Sequence, residues 1–341
     1  MSKITTIGVD IAKNIFHAMC CDARGKTVKK RMLRRHEVLP FFARQEACLI
    51  GMEACASAHY WARQLTALGH AVKLVPAQYV KAYVRGNKND YNDALAISEA
   101  VTRPQMRFVA IKTPDQQDVQ ALHRLRDRSV KMRTGLCNQI RGLVGEYGLV
   151  CGKGVATLRR QIPCWLEEAD NGLSDFFRRL LAQSYQQLQT LDDDIDDYTR
   201  ELKGYSQQSD ACQRLQTIPG YGPIVASVFY SQVGHGEDYR RGRDVSASLG
   251  LVPRQHSSGG KDTLLGISKR GDRQLRSLLV HGARAVVSRA EKKDDRLSRW
   301  INKIRAERGI NKATVALANK LARIGWAILA HNTIYKPTAQ G

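Results

Sequence analysis

The sequence predicts an α/β domain at the amino-terminal end, a middle region of long helices and a mainly helical carboxy-terminal part. Short apolar runs of strand length, separated by turn signals, fill residues 1–112. Two long stretches with helical periodicity lie within residues 113–205. Residues 206–341 hold further helical stretches and two glycine-containing loops. We therefore divide the 341-residue chain into three domains at these boundaries.

The order of elements in the first domain predicts its sheet. Strands are expected at ITTIGVDIA, IFHAMCCDA, TVKKRMLRR, ACLIGMEA and AVKLVPA, with MRFVAI at residues 106–111 as a sixth. Helices are expected over residues 36–46, over SAHYWARQLTALG, and from Asp90 through ALAISEAV. Three strands followed by strand–helix–strand–helix predict a mixed sheet, antiparallel in its first three strands and parallel in the later ones.

The middle region predicts two long amphipathic helices. One follows Pro114, the other begins at Leu173, and a break spans roughly residues 145–163 between them. This pattern is typical of an antiparallel helical hairpin or a coiled-coil arm, which would serve to form a homo-oligomer, a dimer or a tetramer. The second helix contains the acidic residues Asp192–Asp194, Asp196 and Asp197. We interpret them as a solvated face or as charge partners of the basic first helix, and a second metal site is the alternative.

The charge of the chain indicates a polyanionic partner. Lys and Arg number 54 against 32 Asp and Glu, which gives a formal net charge of +22. Nucleic acid is the expected partner, and a merely basic enzyme or a ribosome-associated protein is the alternative. No membrane partner is expected, because no apolar run approaches the roughly 20 residues that span a bilayer.

The cysteines and the amino terminus indicate a cytoplasmic protein. The first residues do not have the pattern of a signal peptide, since Asp10 interrupts their short apolar run. The eight cysteines include no CxxC and no zinc-finger spacing, and we interpret them as small buried hydrophobic residues.

Four acidic residues form the candidate metal site. Asp10 and Glu53 each end an apolar strand, and Asp90 and Asp93 lie three residues apart on a predicted helix. Four carboxylates brought together repel one another, and a pair of divalent cations compensates that repulsion. Oxygen ligands favour Mg²⁺ or Mn²⁺ over zinc. Taken singly, Asp90 could be a helix N-cap, Asp93 could favour the helix dipole and Glu53 could pair with an arginine.

Two loops in the last domain are candidate nucleic-acid contacts. IPGYGP at residues 218–223 holds Gly220 and Gly222 between helices, as in a helix-hairpin-helix, although an ordinary tight turn has the same composition. RQHSSGGKD at residues 254–262 offers exposed serine hydroxyls between Arg254 and Lys261, and a flexible linker is its alternative interpretation. A phosphate-contact cluster is expected just beyond, at a helix that Asp272 can cap. It comprises Lys269, Arg270, Arg273 and Arg276.

These motifs together resemble a known family. GVDIAK, GMEA, NKNDYNDA, TIPGYGP and GLVPRQHSSGGK…GISKRG occur in the order and spacing of the DEDD transposases of the insertion-sequence-110 family, which are related to the Piv invertases. The SSGGK…ISKRG stretch is similar to the subgroup of insertion sequence 1111. Each motif alone is weak, but the combination is specific and covers nearly the whole chain.

The resemblance implies a fold, a site and partners. It implies a RuvC-like (RNase H-like) amino-terminal domain, a coiled-coil region and a carboxy-terminal transposase domain. It assigns the metal-binding DEDD set to Asp10, Glu53, Asp90 and Asp93, and the nucleophilic serine to Ser258, chosen over Ser257 by the Ser-Gly step. It also implies a guide RNA, encoded by the element, that pairs with donor and target DNA.

The mechanism expected from these residues is a serine-mediated recombination. Metal at the four carboxylates would activate the Ser258 oxygen or the scissile phosphate, and a phosphoserine link would conserve the bond energy without ATP. Because Ser258 lies far along the chain from the carboxylates, the site is expected to assemble across domains or subunits. A RuvC-like nuclease that uses water, and a non-catalytic RNA- and DNA-binding scaffold, are the two alternatives.

Overall fold

A computed structural model describes residues 3–85, 89–259 and 261–337 of the chain. The chain forms two compact units, Met1–Pro114 and Asp115–Gly341. The further division of the second unit near residue 205 stays a prediction.

The first unit is built on a mixed five-stranded sheet. Its strands are β1 (Thr6–Ile11), β2 (Ile15–Cys21), β3 (Thr27–Arg34), β4 (Leu49–Glu53) and β5 (Ala71–Val75). They are ordered β3-β2-β1-β4-β5. β1, β2 and β3 pair antiparallel, and β4 pairs in parallel with both β1 and β5, so the predicted sheet is confirmed.

The predicted sixth strand at residues 106–111 is wrong. In the described part of the chain, this segment makes a single antiparallel bridge, between Val109 and Leu74. The backbone beyond it is held by a helix instead. The Lys112 N–H donates to His59, and its carbonyl oxygen accepts a hydrogen bond from Arg63 at 2.6 Å. The chain therefore leaves the sheet before a ladder can form.

Helices cover both faces of this sheet. They are α1 (Val38–Ala43), α2 (Ala58–Ala67), α3 (Ala77–Val80) and α4 (Asp90–Val101), with a 3₁₀ turn at Arg35–Glu37. On one face, buried residues of the strands such as Phe16 and Ile50 share a core with Trp61 of α2. On the other face α4 lies directly against β1 and β4 at Gly8 and Gly51, where a Cβ atom would collide with the helix.

The second unit begins with three helices where the sequence predicted two. They are α5 (Pro114–Gly145), α6 (Val155–Glu167) and α7 (Asp175–Gln208). α6 lies mostly within the predicted break, and its Leu158, Ile162 and Trp165 pack into the core that α5 and α7 share. Asp192 of α7 is buried and binds Arg133 of α5 at 2.7 Å and Arg159 of α6 at 2.6 Å. The interpretation of this acid as a charge partner of the basic helix is confirmed, whereas the coiled coil stays a prediction.

The rest of the second unit is mainly helical, as predicted. It contains α8 (Asp210–Gln216), α9 (Pro223–Val233), α10 (Gly242–Ser248), α11 (Arg273–Val287), α12 (Arg296–Arg308) and α13 (Ile310–His331), with a 3₁₀ turn at Ala290–Lys292. It also contains a two-stranded hairpin, β6 (Pro253–Ser258) and β7 (Lys261–Ile267), which the sequence did not predict. None of the described helices is long and apolar enough to cross a membrane.

The cysteines follow the prediction in part. Five of the eight are buried, Cys151 is half-buried, and Cys55 and Cys164 are exposed, so the last two are not core residues.

Candidate metal centre and serine hairpin

Asp10 and Glu53 lie side by side at the carboxyl ends of two parallel strands. The register pairs Val9 with Met52, and the two acids are the next residues of their strands. Each acid follows a glycine by two residues, so the alternation of a strand places it on the same sheet face as Gly8 or Gly51. This is the face that α4 covers.

The first turn of α4 supplies the other two carboxylates. Asn89 is the N-cap, and its Oδ1 accepts a hydrogen bond from the Tyr91 N–H at 2.8 Å. The alternative in which Asp90 caps the helix is therefore wrong. Asp90 and Asp93 both lie in the first helical turn, about 4.5 Å apart along the axis, on the helix that contacts β1 and β4.

The charges of these residues act on Asp10. Burial raises the pKa of the Asp10 carboxyl above its ordinary value, and the negative charges of Asp90, Asp93 and Glu53 raise it further. Within the described part of the chain, no Lys or Arg forms an ion pair with any of the four acids. The pairing of Glu53 with an arginine, considered from the sequence, is not found there.

The four carboxylates are brought together without converging on one point. Among residues 3–85, 89–259 and 261–337, no three His, Cys, Asp or Glu side chains are close enough to hold a metal ion as they stand. The Asp90 side chain is 61% exposed. The donor set nevertheless fits Mg²⁺ or Mn²⁺, because it consists of oxygen ligands and no Lys or Arg of the described residues forms an ion pair with them.

His17 is a residue of this site that the sequence reasoning missed. It pairs directly with Asp10 across β1 and β2, and its Nδ1 lies 3.5 Å from Oδ2 of Asp90. Its ring meets the edge of Tyr91 with the centroids 4.7 Å apart. A signal was available, because two predicted antiparallel strands with a short connection bring residues before and after that connection into register.

Ser258 lies at the tip of an exposed hairpin rather than in a linker. β6 pairs with β7 from Pro253–Ile267 to Ser258–Lys261, and every residue of β6 is exposed. Gly259 turns the chain with a φ of +58°. Two further backbone bonds, from Ser268 to Val252 and from Lys269 to Gly250, extend the pairing to the base. At about 3.3 Å per residue, Ser258 stands roughly 20 Å beyond that base.

The two adjacent serines are in different environments. The Ser257 hydroxyl accepts a hydrogen bond from the Gln255 side-chain amide at 2.8 Å. Strand alternation turns Ser258 to the opposite face, which it shares with Arg254 and His256. Within the described part of the chain, no hydrogen bond engages the Ser258 hydroxyl.

The predicted phosphate-contact residues fall into two groups. Arg254, Lys269, Arg270 and Arg273 are exposed. Arg276 is half-buried, and its guanidinium donates to the carbonyl oxygens of Leu249 and Arg270 at 3.0 and 3.1 Å, so it holds the backbone of this segment. Asp272 caps α11 through Leu275 as predicted. The Lys261 side chain lies outside the described residues.

The glycines of the IPGYGP turn also differ. Gly220 has a φ of +89° and lies against the backbone of Gly282 in α11, where a Cβ would come within 2.8 Å of the carbonyl oxygen. Tyr221 is buried and donates to the carbonyl oxygen of Leu321 in α13. Gly222 is the N-cap of α9 and has open space beside it. The close packing against Gly282 explains why a glycine is needed at position 220. A phosphate contact at either glycine stays a prediction.

Comparison with known proteins identifies the family. A DEDD transposase model of the IS110 type, described as "Transposase", matches residues 7–148, which include the four carboxylates. A second model, described as "Transposase IS116/IS110/IS902 family", matches residues 212–298, which include Ser258.

Three relatives are similar over nearly their whole length. The transposase of insertion sequence element IS1111A from Coxiella burnetii is 45% identical over 98% of this chain and 92% of its own. A probable family 20 transposase from Pseudomonas aeruginosa is 45% identical over 98% of this chain and 99% of its own. The transposase of IS1328 from Yersinia enterocolitica is 42% identical over 98% of this chain and 99% of its own. The chain therefore belongs to the IS110 family of DEDD transposases.

Proposed function

We propose that this transposase cleaves and rejoins DNA through a covalent bond between Ser258 and a DNA phosphate, with a divalent metal held by Asp10, Glu53, Asp90 and Asp93. The observation that carries the proposal is the set of four carboxylates around Asp10, none of them offset by a Lys or Arg in the described part of the chain. A bound Mg²⁺ or Mn²⁺ would neutralise charge on the scissile phosphate and on the oxygens that attack and leave it.

Ser258 has the properties that a nucleophile needs. Its hydroxyl is exposed at the hairpin tip, and Arg254 lies on the same face of the strand. In the first step the serine oxygen gives up its proton and attacks the phosphorus, and the bond to one DNA oxygen breaks, so that this oxygen leaves with a proton. In the second step a hydroxyl of another strand attacks the phosphoserine and releases the serine. The number of phosphodiester bonds is conserved, and no ATP is required.

The chain also has the charge to hold two kinds of nucleic acid. The net charge of +22 and the exposed cations beside the hairpin support simultaneous contact with donor and target DNA and with an element-encoded guide RNA. Binding should weaken steeply with salt, by roughly 10³–10⁵ between 50 and 200 mM if about 6–10 phosphates are contacted. The helices α5 and α7 would then serve to bring copies of the chain together as a dimer or a tetramer.

A covalent trapping experiment tests the serine step. The full chain is incubated with guide RNA, labelled DNA and Mg²⁺, and is then denatured. We expect a protein–DNA adduct in the wild type and in Ser257→Ala, and none in Ser258→Ala or Asp10→Asn. Ser257→Ala is the matched control, because it removes the neighbouring hydroxyl on the other face of the same strand.

The same experiment separates the two alternative functions. Cleavage without an adduct that persists in Ser258→Ala would indicate a hydrolytic nuclease in which water attacks. Binding without any cleavage in the wild type, unchanged by Asp10→Asn, would indicate a scaffold. Omitting the RNA tests guidance, because cleavage at the same site without it would contradict that part of the proposal.

A further inference from the structure

We propose that His17 is a positioning residue that holds the Asp90 carboxylate over Asp10, and so completes the metal centre. The inference rests on the proposed function, since it concerns the same four carboxylates. It adds a residue from β2, a strand that contributes none of the four acids.

The position of His17 links both halves of the acidic set. It pairs with Asp10 across the β1–β2 ladder. It contacts the first turn of α4 at two successive residues, Asp90 through Nδ1 and Tyr91 through the ring. Lys30 of β3 lies over the ring of Tyr91, with its Nζ 5.7 Å from the ring centroid. Residues of both β2 and β3 therefore contact the Tyr91 ring.

The Nδ1 atom of His17 is buried and lacks a hydrogen-bond partner in the described structure. Its distance of 3.5 Å to Asp90 falls just outside the 2.7–3.2 Å usual for a hydrogen bond. Buried polar atoms are rarely left in this condition, because an unmade hydrogen bond is costly. The exposed Asp90 side chain is the group that can close the gap, and closing it brings this carboxylate to His17, the residue that pairs with Asp10 across the β1–β2 ladder.

The two parts of the His17 side chain can be tested separately. His17→Phe keeps a ring against Tyr91 and removes the nitrogens. His17→Asn places an amide donor near the position of Nδ1 and removes the ring. If His17 acts only by packing, His17→Phe should behave as the wild type. If it positions Asp90, His17→Asn should be the better substitute.

The experiment measures Mn²⁺ binding to the full chain without nucleic acid, by electron paramagnetic resonance of the free ion. We expect His17→Phe to weaken binding about 10-fold, the lower end of the range for residues that orient metal ligands. His17→Asn should recover most of that loss. In an Asp90→Ala background, His17→Phe should have no further effect on the remaining binding, because the oxygen that His17 contacts is already absent.

Each contrary result is distinct. If Asp10→Asn abolishes Mn²⁺ binding and His17→Phe leaves it unchanged, the role of His17 is overturned while the metal centre stands. If His17→Phe weakens binding equally in the Asp90→Ala background, His17 does not act through Asp90. If Asp10→Asn also binds Mn²⁺ as the wild type does, the metal centre itself is wrong and this inference falls with it. Thermal denaturation of each variant shows that the fold is retained.

Discussion

Replacing Gly8 with alanine should push α4, and with it Asp90 and Asp93, away from the strand that carries Asp10. The added Cβ would lie 2.0 Å from the carbonyl oxygen of Ala94 and 2.6 Å from the Ser98 nitrogen, both backbone atoms. Ordinary contact begins at 3.4 Å, so the helix would have to retreat by about 1.4 Å. Overpacking of this kind costs about 1–3 kcal/mol of stability or more. A displacement of about 1 Å at a catalytic group can lower the rate roughly 100-fold.

Two other glycines provide matched comparisons. A Cβ at Gly51 would meet side-chain atoms of Val101 and Ile97 at 2.9–3.1 Å, so the shift needed to restore ordinary contact is about 0.5 Å, smaller than at Gly8. Gly51→Ala should therefore cost less, about 1 kcal/mol, and retain most activity. Gly135→Ala, in an open position of α5, should stabilise the chain by up to about 1 kcal/mol.

Urea denaturation and metal-dependent DNA cleavage measure these effects. The expected order of stability is Gly135→Ala, wild type, Gly51→Ala and Gly8→Ala, and only Gly8→Ala should lose cleavage severely. A Gly8→Ala chain with wild-type stability and activity would refute the argument that close contact at this glycine sets the position of α4.

Three further predictions concern charge. Saturating Mg²⁺, at about 100 times its dissociation constant, should raise the free energy of unfolding by about 2.7 kcal/mol, and should not do so in Asp10→Asn. Burial by itself would raise the pKa of Asp192, but the hydrogen bonds and positive charges of Arg133 and Arg159 together hold it below its ordinary value. Asp192→Asn should therefore lose roughly 3 kcal/mol at pH 7, and the difference from the wild type should shrink as the pH falls through that lowered pKa. Burial, with a smaller effect from a neighbouring arginine, lowers the pKa of His123 to about 4 from 6.5. The contribution of neutral His123 to the free energy of unfolding is complete above pH 6.5 and should fall by roughly 3 kcal/mol as the pH is lowered toward 4. Denaturation curves across this range should not show that loss in His123→Gln.

Local patterns were sufficient to predict the sheet of the first unit. Its strands carry apolar residues with turn signals between them, and the order of strands and helices determines which neighbours are parallel. The same patterns wrongly predicted a strand at MRFVAI, because His59 and Arg63 of α2 form hydrogen bonds with the backbone of Lys112 just beyond it. These hydrogen bonds join residues about 50 positions apart, so a local sequence pattern cannot predict them.

The serine loop shows a different failure. Its composition suggested a linker, yet two glycines between RQHSS and KDTLLGI are also the signal for a two-residue β-turn. The strands could not be recognised by alternating apolar residues, because the exposed hairpin buries neither face of β6 and its residues are mostly polar. The packing role of Gly220 could not be predicted from the sequence, since the residue that it meets, Gly282, is distant along the chain.

The candidate metal site could be predicted from the sequence where it depends on the spacing of the acids, but not where it depends on how α4 packs on the sheet. The acids are marked by their places at strand ends and in one helical turn, but their mutual approach requires α4 to lie against bare backbone at Gly8 and Gly51. Each of these glycines precedes its acid by two residues. GVD and GME therefore place a glycine and an acid on the same face of two adjacent parallel strands. A glycine at that position removes the side chain that would hold the helix off, and strand alternation then leaves the acid as the next group on that face. The sequences GVD and GME therefore specify the acid together with the close approach of the helix that carries its partners, and an alanine at Gly8 should remove the second while leaving the first intact.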